Sequence, residues 1–328
     1  MFFLVNMLNH NATGQRSLED VVGILGHQMR ALGHRVIWDP RNEKFLHPSE
    51  GINLIVEGFT EHTVRVIADA HAHGCRFVIL ATEEPSDRGF NQGTQQEMVK
   101  RQEIFPEAAK FCEGILHLVP GEHVTRWYSQ FAPAAQVELG YADTLVRQSS
   151  TVEPTYDFGF YGSLSKRRHR LLRKLANASV GKKEVRVVVD FKEQIERDSI
   201  MREARVIVQI RKFDEMGLVS SSRCNTALCL GRPVVAESHL LSKPWDEVVQ
   251  FVDGDEHAFL NACMMARSYW RGMHAAQFER FREKFTPEFC VGQALKQIGI
   301  LENKTARVSP CAEAGVVHKM SGSESAAA

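Results

Sequence analysis

Residues 218–237 read LVSSSRCNTALCLGRPVVAE, and this stretch decides the fold. It has the pattern of an amphipathic helix joined to a short buried strand. Gly231 stands where a helix C-cap requires positive φ, and Pro233 cannot continue a helix. The apolar run at residues 234–236 is of the kind that lies inside a parallel sheet. The pattern therefore predicts an αβ connection in a parallel α/β fold.

Three serines stand at the start of the predicted helix, Ser220, Ser221 and Ser222, and Arg223 follows them. Serine hydroxyls are suited to cap a helix, and the first backbone N–H groups of a helix favour an anion. The stretch therefore predicts an anion site at this helix N-terminus. On pattern alone, an ordinary αβ connection with a serine cap is the alternative.

The composition is that of a soluble globular protein, with 44% hydrophobic and 24% charged residues in a chain of 328. Such a length suits two domains of about 150 residues. Forty basic residues balance forty acidic ones, so charge gives no reason to expect nucleic acid or an anionic membrane as a partner. The apolar start, MFFLV, is too short for a signal peptide or a membrane span. We therefore expect a cytoplasmic protein.

No metal site is predicted. The seven cysteines are scattered and contain no CxxC pair, which argues against a zinc site and a disulfide framework. Among the fourteen histidines there is no HExxH spacing. His71 and His73 are interpreted as a solvated helix end.

Strands and helices alternate through the first half of the chain. Ser17 and Asp20 predict a capping box before a helix that ends at Gly33. Apolar strands are predicted at residues 2–5, 35–38, 53–59, 76–82 and 114–119, and further helices at residues 62–74, 96–111 and 121–131. This alternation is typical of a parallel sheet covered by helices on both faces.

The same pattern begins again after residues 139–156, which lack periodicity and are interpreted as a linker. Helices dominate residues 256–299, with a predicted break near Thr286 and Pro287, and the tail at 302–328 is expected to be disordered. The fold class predicted is therefore α/β, with two Rossmann-like domains at residues 1–145 and 155–300. The cleft between them is the default binding site.

The second domain's first strand leads into FYGSLSKRRHR. Cations in the first turn of a helix oppose its macrodipole, a cost that is tolerable where an anion binds. Gly162, Ser163 and Arg167 are therefore candidate contacts for a diphosphate. Arg168 and Arg170 are interpreted as a solvated basic face.

Arg211 and Lys212 follow the strand RVIVQI, at an end that faces the cleft. The arginine fork can bind phosphate through two hydrogen bonds, although a surface ion pair with Asp214 or Glu215 is an alternative. Glu237 ends the next strand, where a carboxylate can accept hydrogen bonds from a ribose diol. Its alternative role is that of a loop carboxylate.

Three residues of the first domain are candidates for a general base: Glu83, Glu84 and His10, each at the end of a predicted strand or just after one. Each has a structural role as its alternative. The chain contains no GxSxG, P-loop lysine or complete GxGxxG motif. Hydrolase, P-loop kinase and simple dehydrogenase functions therefore lose support.

The second half resembles the group-1-type glycosyltransferases of the GT-B fold. The matching segments are YDFGFYGSLSKRRHRLLRKL, RDSIMREARVIVQIRKFDE and SSRCNTALCLGRPVVAE, with weaker matches at RFVILATEEPSD and VELGYADTLV in the first half. Together they cover about a quarter of the chain. The ALxxGxPVV run is moderately specific, because other Rossmann-like proteins carry similar runs.

The resemblance implies that the second domain holds a nucleotide-diphosphate sugar and the first an acceptor hydroxyl on a glycan, a lipid-linked molecule or a protein. It implies metal-independent transfer with no cofactor besides the donor substrate. It places Gly162, Ser163 and Arg211 near the diphosphate, Ser221, Ser222 and Arg223 near the donor sugar or phosphates, and Glu237 at the ribose.

The sequence also departs from the family pattern. Many retaining members carry two glutamates eight positions apart, where this chain has Leu218 and Thr226. Retaining and inverting chemistry therefore both stay open. So do two alternatives to glycosyl transfer: a catalytically silent GT-B-like protein that binds a nucleotide sugar or a partner, and a sugar-nucleotide epimerase.

Overall fold

The computed structural model describes residues 1–7, 12–38, 45–46, 50–92, 95–146, 153–178, 185–188, 194–212, 220–238 and 243–301. Three parts of the sequence interpretation lie outside these residues: the candidate base His10, the segment 213–219 that contains Leu218, and the tail at 302–328. No described helix is long and apolar enough to cross a membrane.

The first half forms a sheet of parallel strands in the order β2-β1-β3-β4-β5-β6. The strands are β1 (Phe2–Asn6), β2 (Arg35–Trp38), β3 (Ile52–Val56), β4 (Phe77–Ala81), β5 (Gly114–His117) and β6 (Ala134–Gln136). The helices are α1 (Ala12–Ala31), α2 (Glu61–Ala72), α3 (Gln96–Ala109) and α4 (Glu122–Tyr128). The predicted alternation is confirmed, except that β6, only three residues long, was not predicted from the sequence.

The second half forms another parallel sheet, in the order β11-β10-β9-β7-β8. Its strands are β7 (Tyr156–Tyr161), β8 (Val185–Val188), β9 (Ala204–Gln209), β10 (Val234–Glu237) and β11 (Gln250–Val252). Its helices are α5 (Lys166–Ala178), α6 (Gln194–Arg202), α7 (Ser221–Cys229), α8 (Glu256–Ser268), α9 (Trp270–Lys284) and α10 (Gln293–Gln297), with a π-helical turn at Glu288–Gly292.

Each sheet reverses its strand order at one place. The first strand of each half, β1 or β7, lies between the second and third strands of that half. Ligands of open α/β sheets bind outside the carboxyl ends of the strands at such a reversal. In the second sheet, the loops that follow β7 and β9 meet at this position.

One hydrophobic core is shared by the two halves. Phe3 of β1 and Leu25 of α1 belong to the same buried cluster as Leu228 of α7 and Phe281 of α9. Two further clusters cover the outer faces of the two sheets. The last helical residues also contact the first sheet, because Gly114 of β5 has no side chain and its missing Cβ would lie 2.9 Å from Ile298.

Helix α1 starts earlier than the sequence indicates. It begins at Ala12, so Ser17 and Asp20 lie inside the helix and the predicted capping box is wrong. In contrast, Gly231 has φ of 79° directly after α7, as the C-cap pattern predicts.

The predicted break near Thr286 is confirmed, because α9 ends at Lys284 and a π-helical turn follows. A second break separates α8 from α9 at Tyr269, which is 72% exposed. Its neighbours Trp270 and Phe278 pack against the buried clusters.

Candidate functional site

The loop after β7 brings an arginine of α7 against the backbone. Gly162 has φ of 128°, a conformation that residues with a Cβ rarely adopt. A Cβ at this position would lie 3.0 Å from Nη2 of Arg223 and 3.9 Å from Nη1 of Arg168. Two guanidinium groups therefore approach the same backbone position at the reversal of the second sheet.

Arg223 makes no hydrogen bond or ion pair through its side chain within the described part of the chain, and its Nε is buried without a partner. Its guanidinium lies 5.8 Å from the ring centre of Phe160 and 5.3 Å from that of Tyr161. Burial lowers the pKa of this arginine below its usual value. A half-buried cation that packs on two aromatic faces is suited to bind an incoming anion.

The N-terminus of α7 lies beside this arginine. Ser220 occupies the N-cap position, but its side chain makes no hydrogen bond to the helix, and its Oγ lies 3.4 Å from Oγ of Ser222. The predicted serine cap is therefore wrong. The first N–H groups of a helix have no partner inside it, so the N–H groups of Ser221 and Ser222 are positioned to bind an anion.

Arg168 is not part of a solvated basic face, contrary to the sequence interpretation. It is only 4% exposed, and it donates from Nε to the carbonyl oxygen of Ile210 at 2.8 Å and from Nη1 to that of Ser163 at 2.8 Å. It therefore joins the loop after β7 to the end of β9. Arg170, in contrast, is exposed and pairs with Glu256, as a solvated position predicts.

Arg167 and Glu237, both predicted to contact the donor, are paired with each other. The two guanidinium nitrogens of Arg167 donate to the two carboxylate oxygens at 2.5 and 2.6 Å. The backbone N–H of Arg211 also donates to Glu237, at 2.7 Å. This ion pair, buried on both sides, fixes the backbone at the end of β9.

The remaining predicted contacts lie on the same loops. Ser163 is exposed at the surface of the loop after β7. The carbonyl oxygen of Lys212 accepts a hydrogen bond from Ser165 Oγ at 2.7 Å, which ties the loop after β9 to the start of α5. Together with Arg211, these residues lie at the reversal of the second sheet.

The electrostatics of this region favour an anion. The pKa of Arg168 is lowered to about 10, chiefly by burial and then by the nearby Arg223, with Glu237 partly offsetting both effects. Mutual repulsion between guanidinium groups in a half-buried site is relieved when a negative ligand binds between them. The site is therefore suited to phosphate groups.

Of the candidate bases, Glu83 is held by other side chains. It is 8% exposed, and its carboxylate accepts from Arg101 Nη2 at 2.7 Å and from Asn91 Nδ2 at 2.7 Å. Burial raises its pKa, partly offset by Arg101. Glu84 is more accessible and lies 3.5 Å from His123 Nε2.

A second buried carboxyl group, Glu57, follows β3, at a position where the sequence pattern predicts no site. It accepts hydrogen bonds from the backbone N–H and Oγ1 of Thr82 at 2.5 and 2.6 Å. Burial, followed by the neighbouring Glu83, raises its pKa to about 8. The residue after β4, Thr82, is therefore held by a buried carboxyl group whose protonated form is favoured.

Asp20 of α1 reaches across to the second half of the chain, where it pairs with Arg197 of α6. Arg197 is 1% exposed, also pairs with Asp198 at 2.5 Å, and stacks on Tyr161 at 4.9 Å. The strand that leads into the anion site is therefore tied to the first half by a buried ion pair.

The sequence contains a signal for the buried position of Arg168. Arg168 shares a helical face with Leu171, Leu172 and Leu175, which are all buried, at the spacing of one side of a helix. The Asp20–Arg197 pair has no such signal, because it joins residues 177 positions apart. Within the described residues, no cluster of His, Cys, Asp or Glu could hold a metal ion.

No protein-family model matches the sequence, and no curated protein matches it. Several solved structures are similar in fold. AviGT4, a glycosyltransferase involved in avilamycin A biosynthesis, has a TM-score of 0.57 at 11% identity and covers 91% of this chain and 97% of its own. HepE from Anabaena, solved in complex with UDP, has a TM-score of 0.53 at 11% identity and covers 92% and 100%.

A UDP-forming trehalose-phosphate synthase from Burkholderia xenovorans is also similar, with a TM-score of 0.51 at 9% identity, and covers 88% of this chain and 79% of its own. These likenesses extend over both sheets and their helices. The chain therefore has the GT-B fold, as the sequence resemblance implied.

Proposed function

We propose that this protein is a glycosyltransferase that moves a sugar from a nucleotide-diphosphate donor to an acceptor hydroxyl. The acceptor oxygen forms a bond to the anomeric carbon of the donor sugar, the bond from that carbon to the diphosphate breaks, and a base takes the hydroxyl proton. The chemistry needs groups that stabilise the negative charge developing on the leaving diphosphate.

The observation that carries the proposal is the guanidinium of Arg223, which has no hydrogen-bond or ion-pair partner among the described residues and lies against Gly162, beside the uncapped N-terminus of α7. This arrangement combines a cation, free backbone N–H groups and a close approach to the loop after β7. HepE, which is similar in fold, was solved with UDP. We assign the diphosphate to this position, with Gly162, Ser163, Arg211, Lys212, Ser221, Ser222 and Arg223 as its surroundings.

Arg167 and Glu237 have a different role in this proposal. Because they satisfy each other's charges and hold the N–H of Arg211, they position the loop after β9. A ribose diol can reach Glu237 only by replacing the donors of Arg167.

The base is assigned to Glu84. Both carboxylate oxygens of Glu83 already accept hydrogen bonds, from Arg101 and Asn91, and these donors compete with a substrate hydroxyl. Glu84 is more accessible and has a histidine, His123, within 3.5 Å.

The test is a screen of UDP, GDP, dTDP and CDP sugars in which binding is detected as an increase in the thermal stability of the protein. A ligand that binds only the native state adds about 2.7 kcal/mol of apparent stability at a hundredfold excess over its Kd. We expect one nucleotide class to stabilise the protein. Arg223→Gln should weaken that binding by about 1.5–3 kcal/mol, as expected for a lost charge-assisted hydrogen bond.

Arg170→Gln is the matched control, because Arg170 is an exposed arginine of the same half that pairs with Glu256. It should leave nucleotide binding unchanged. Equal losses in both variants, or no stabilisation by any of the four nucleotide classes, would contradict the proposal.

A catalytically silent nucleotide-sugar-binding protein is the second candidate. Two observations favour it: Thr226 stands where the resemblance places a glutamate, and the carboxylate of Glu83 is occupied by Arg101. Nucleotide binding without transfer or donor hydrolysis, measured over a broad set of acceptors, would identify this candidate.

A further inference from the structure

A pocket of about 690 Å³ lies between the carboxyl ends of β5 and β6, the segment 243–246 and the helical residues 289–297. It shares no lining residue with the anion site at Gly162 and Arg223. Its volume falls within the range of about 300–1,000 Å³ that is typical of ligand pockets.

The polar groups that line the pocket are mainly neutral. Gln293 and Gln297 present exposed amide side chains on one wall, and within the described residues neither amide has a hydrogen-bond partner. Gln136 adds a third amide and Thr125 a hydroxyl. A side-chain amide carries both donors and an acceptor, which matches a ligand whose hydroxyl groups also donate and accept.

A carboxyl group closes the inner wall. Glu138 is 8% exposed and accepts a hydrogen bond from Gln136 Nε2 at 2.6 Å. Burial raises its pKa to about 7, with the hydrogen bond from Gln136 opposing the shift. In either protonation state this group hydrogen-bonds well to hydroxyls, as an acceptor when ionised and also as a donor when protonated.

The charges and the aromatic group of the pocket narrow the ligand class. The lining contains one cation, Lys243, and two carboxyl groups, Asp246 and Glu138, in contrast to the arginine-rich anion site. A polyanion therefore finds no excess of positive charge here, and a lipid chain would leave the amides unpaired. Phe289, 42% exposed at the pocket, supplies an apolar ring face beside the polar groups.

We propose that this pocket binds a neutral glycan. Hydroxyl groups of the glycan pair with the amides of Gln293 and Gln297 and with the carboxyl group of Glu138, and one sugar ring packs its C–H face on Phe289. The inference rests on the proposed function in one respect, that the glycan is taken to be part of the acceptor. It gives that acceptor a class: uncharged oligosaccharides.

The experiment applies the full-length protein to a printed array of neutral and acidic oligosaccharides, without a nucleotide. Binding to at least one group of neutral glycans is expected. For the strongest of them, Gln293→Ala and Phe289→Ala should each reduce the affinity by about fivefold, the loss of about one hydrogen bond or one ring contact.

Gln130→Ala is the control, because Gln130 is an exposed glutamine in the turn after α4 that does not line the pocket. It should bind as the wild type does. Binding to acidic glycans alone, no binding to any glycan, or equal effects of the pocket and control variants would overturn the proposal.

The array also separates this inference from the proposed function. Glycan binding that Gln293→Ala weakens, in a protein that binds no nucleotide sugar, would sustain the pocket and refute the transferase. If the protein binds nucleotide and transfers sugar but the pocket variants leave its glycan affinity unchanged, the transferase is sustained and the pocket is refuted.

Discussion

A Cβ on Gly162 would lie 3.0 Å from Nη2 of Arg223. The guanidinium group of Arg223 therefore occupies space that the side chain of any residue other than glycine would fill at position 162. This contact joins the loop after β7 and helix α7 into one site, although the two residues are 61 positions apart in the sequence.

Gly162→Ala should weaken nucleotide-sugar binding through this contact. The φ of 128° strains an alanine, at a cost of about 1–3 kcal/mol in the free energy of unfolding, and the new methyl group displaces Arg223. The measurement is nucleotide affinity by calorimetry alongside urea denaturation. Gly254→Ala is the control, since Gly254 has a similar φ of 120° away from the site; it should lose stability but retain affinity, and equal affinities in the two variants would count against the site.

Arg168→Ala should destabilise the protein by about 2–4 kcal/mol. The substitution leaves the carbonyl oxygens of Ser163 and Ile210 without their donors, and that of Ile210 is buried. Arg170→Ala, two positions along the same helix and exposed, should change stability by less than about 0.5 kcal/mol. The measurement is the midpoint of urea unfolding, and similar midpoints for the two variants would show that Arg168 is not structural.

Glu83→Gln and Glu84→Gln should have different effects. The first removes the charge that pairs with Arg101 and should lower stability by about 1–3 kcal/mol. The second should keep the fold and donor affinity but slow transfer by about 10²-fold or more, the usual contribution of a general base. Steady-state kinetics with an acceptor that receives the sugar checks whether Glu84 is the general base. Wild-type turnover in Glu84→Gln would show that it is not.

Asp20 and Arg197 should be energetically coupled. Breaking a buried ion pair leaves one charge without its partner, although Asp198 still pairs with Arg197. We therefore expect Asp20→Asn to cost about 1–3 kcal/mol, less than the full loss of a buried pair. A double-mutant cycle with Arg197→Met measures the coupling directly, and additive effects of the two substitutions would show that the pair does not hold the two halves together.

Glu57 should make stability depend on pH. Its pKa is raised from 4.5 to about 8 in the folded protein, chiefly by burial. Between these values the folded state retains a proton that the unfolded state releases, so stability falls as pH rises, by up to about 1.4 kcal/mol per pH unit. Glu57→Gln, which preserves the acceptor for Thr82, should flatten the profile of unfolding free energy between pH 5 and 8; a slope equal to that of the wild type would contradict the shifted pKa.

Several features follow from the sequence alone. The alternation of apolar strands with helices specifies two parallel sheets, because both patterns are local and repeat along the chain. Gly231 and Pro233 specify the end of α7 for the same reason, since backbone conformation after a helix depends on adjacent residues. The ALxxGxPVV run adds the GT-B resemblance, which the similar structures confirm as a fold.

The sequence was less informative where a side chain could bind either solvent or a distant partner. Arg167 and Glu237, 70 positions apart, each match the pattern of a ligand contact, yet they bind each other. Arg168 has the appearance of a surface cation but lies over Phe160 and donates to two carbonyl oxygens. A charged residue next to a strand end is compatible with all these roles until its neighbours are known.

The tertiary structure alone decided how the two halves meet. Local patterns specify helices and sheets because hydrogen bonding and amphipathicity act over a few residues. They do not specify that Asp20 reaches Arg197, that Ile298 packs against Gly114, or that Gln293 and Glu138 line one pocket. Those contacts depend on long-range packing of the shared core, and the site and the pocket exist only once that core has formed.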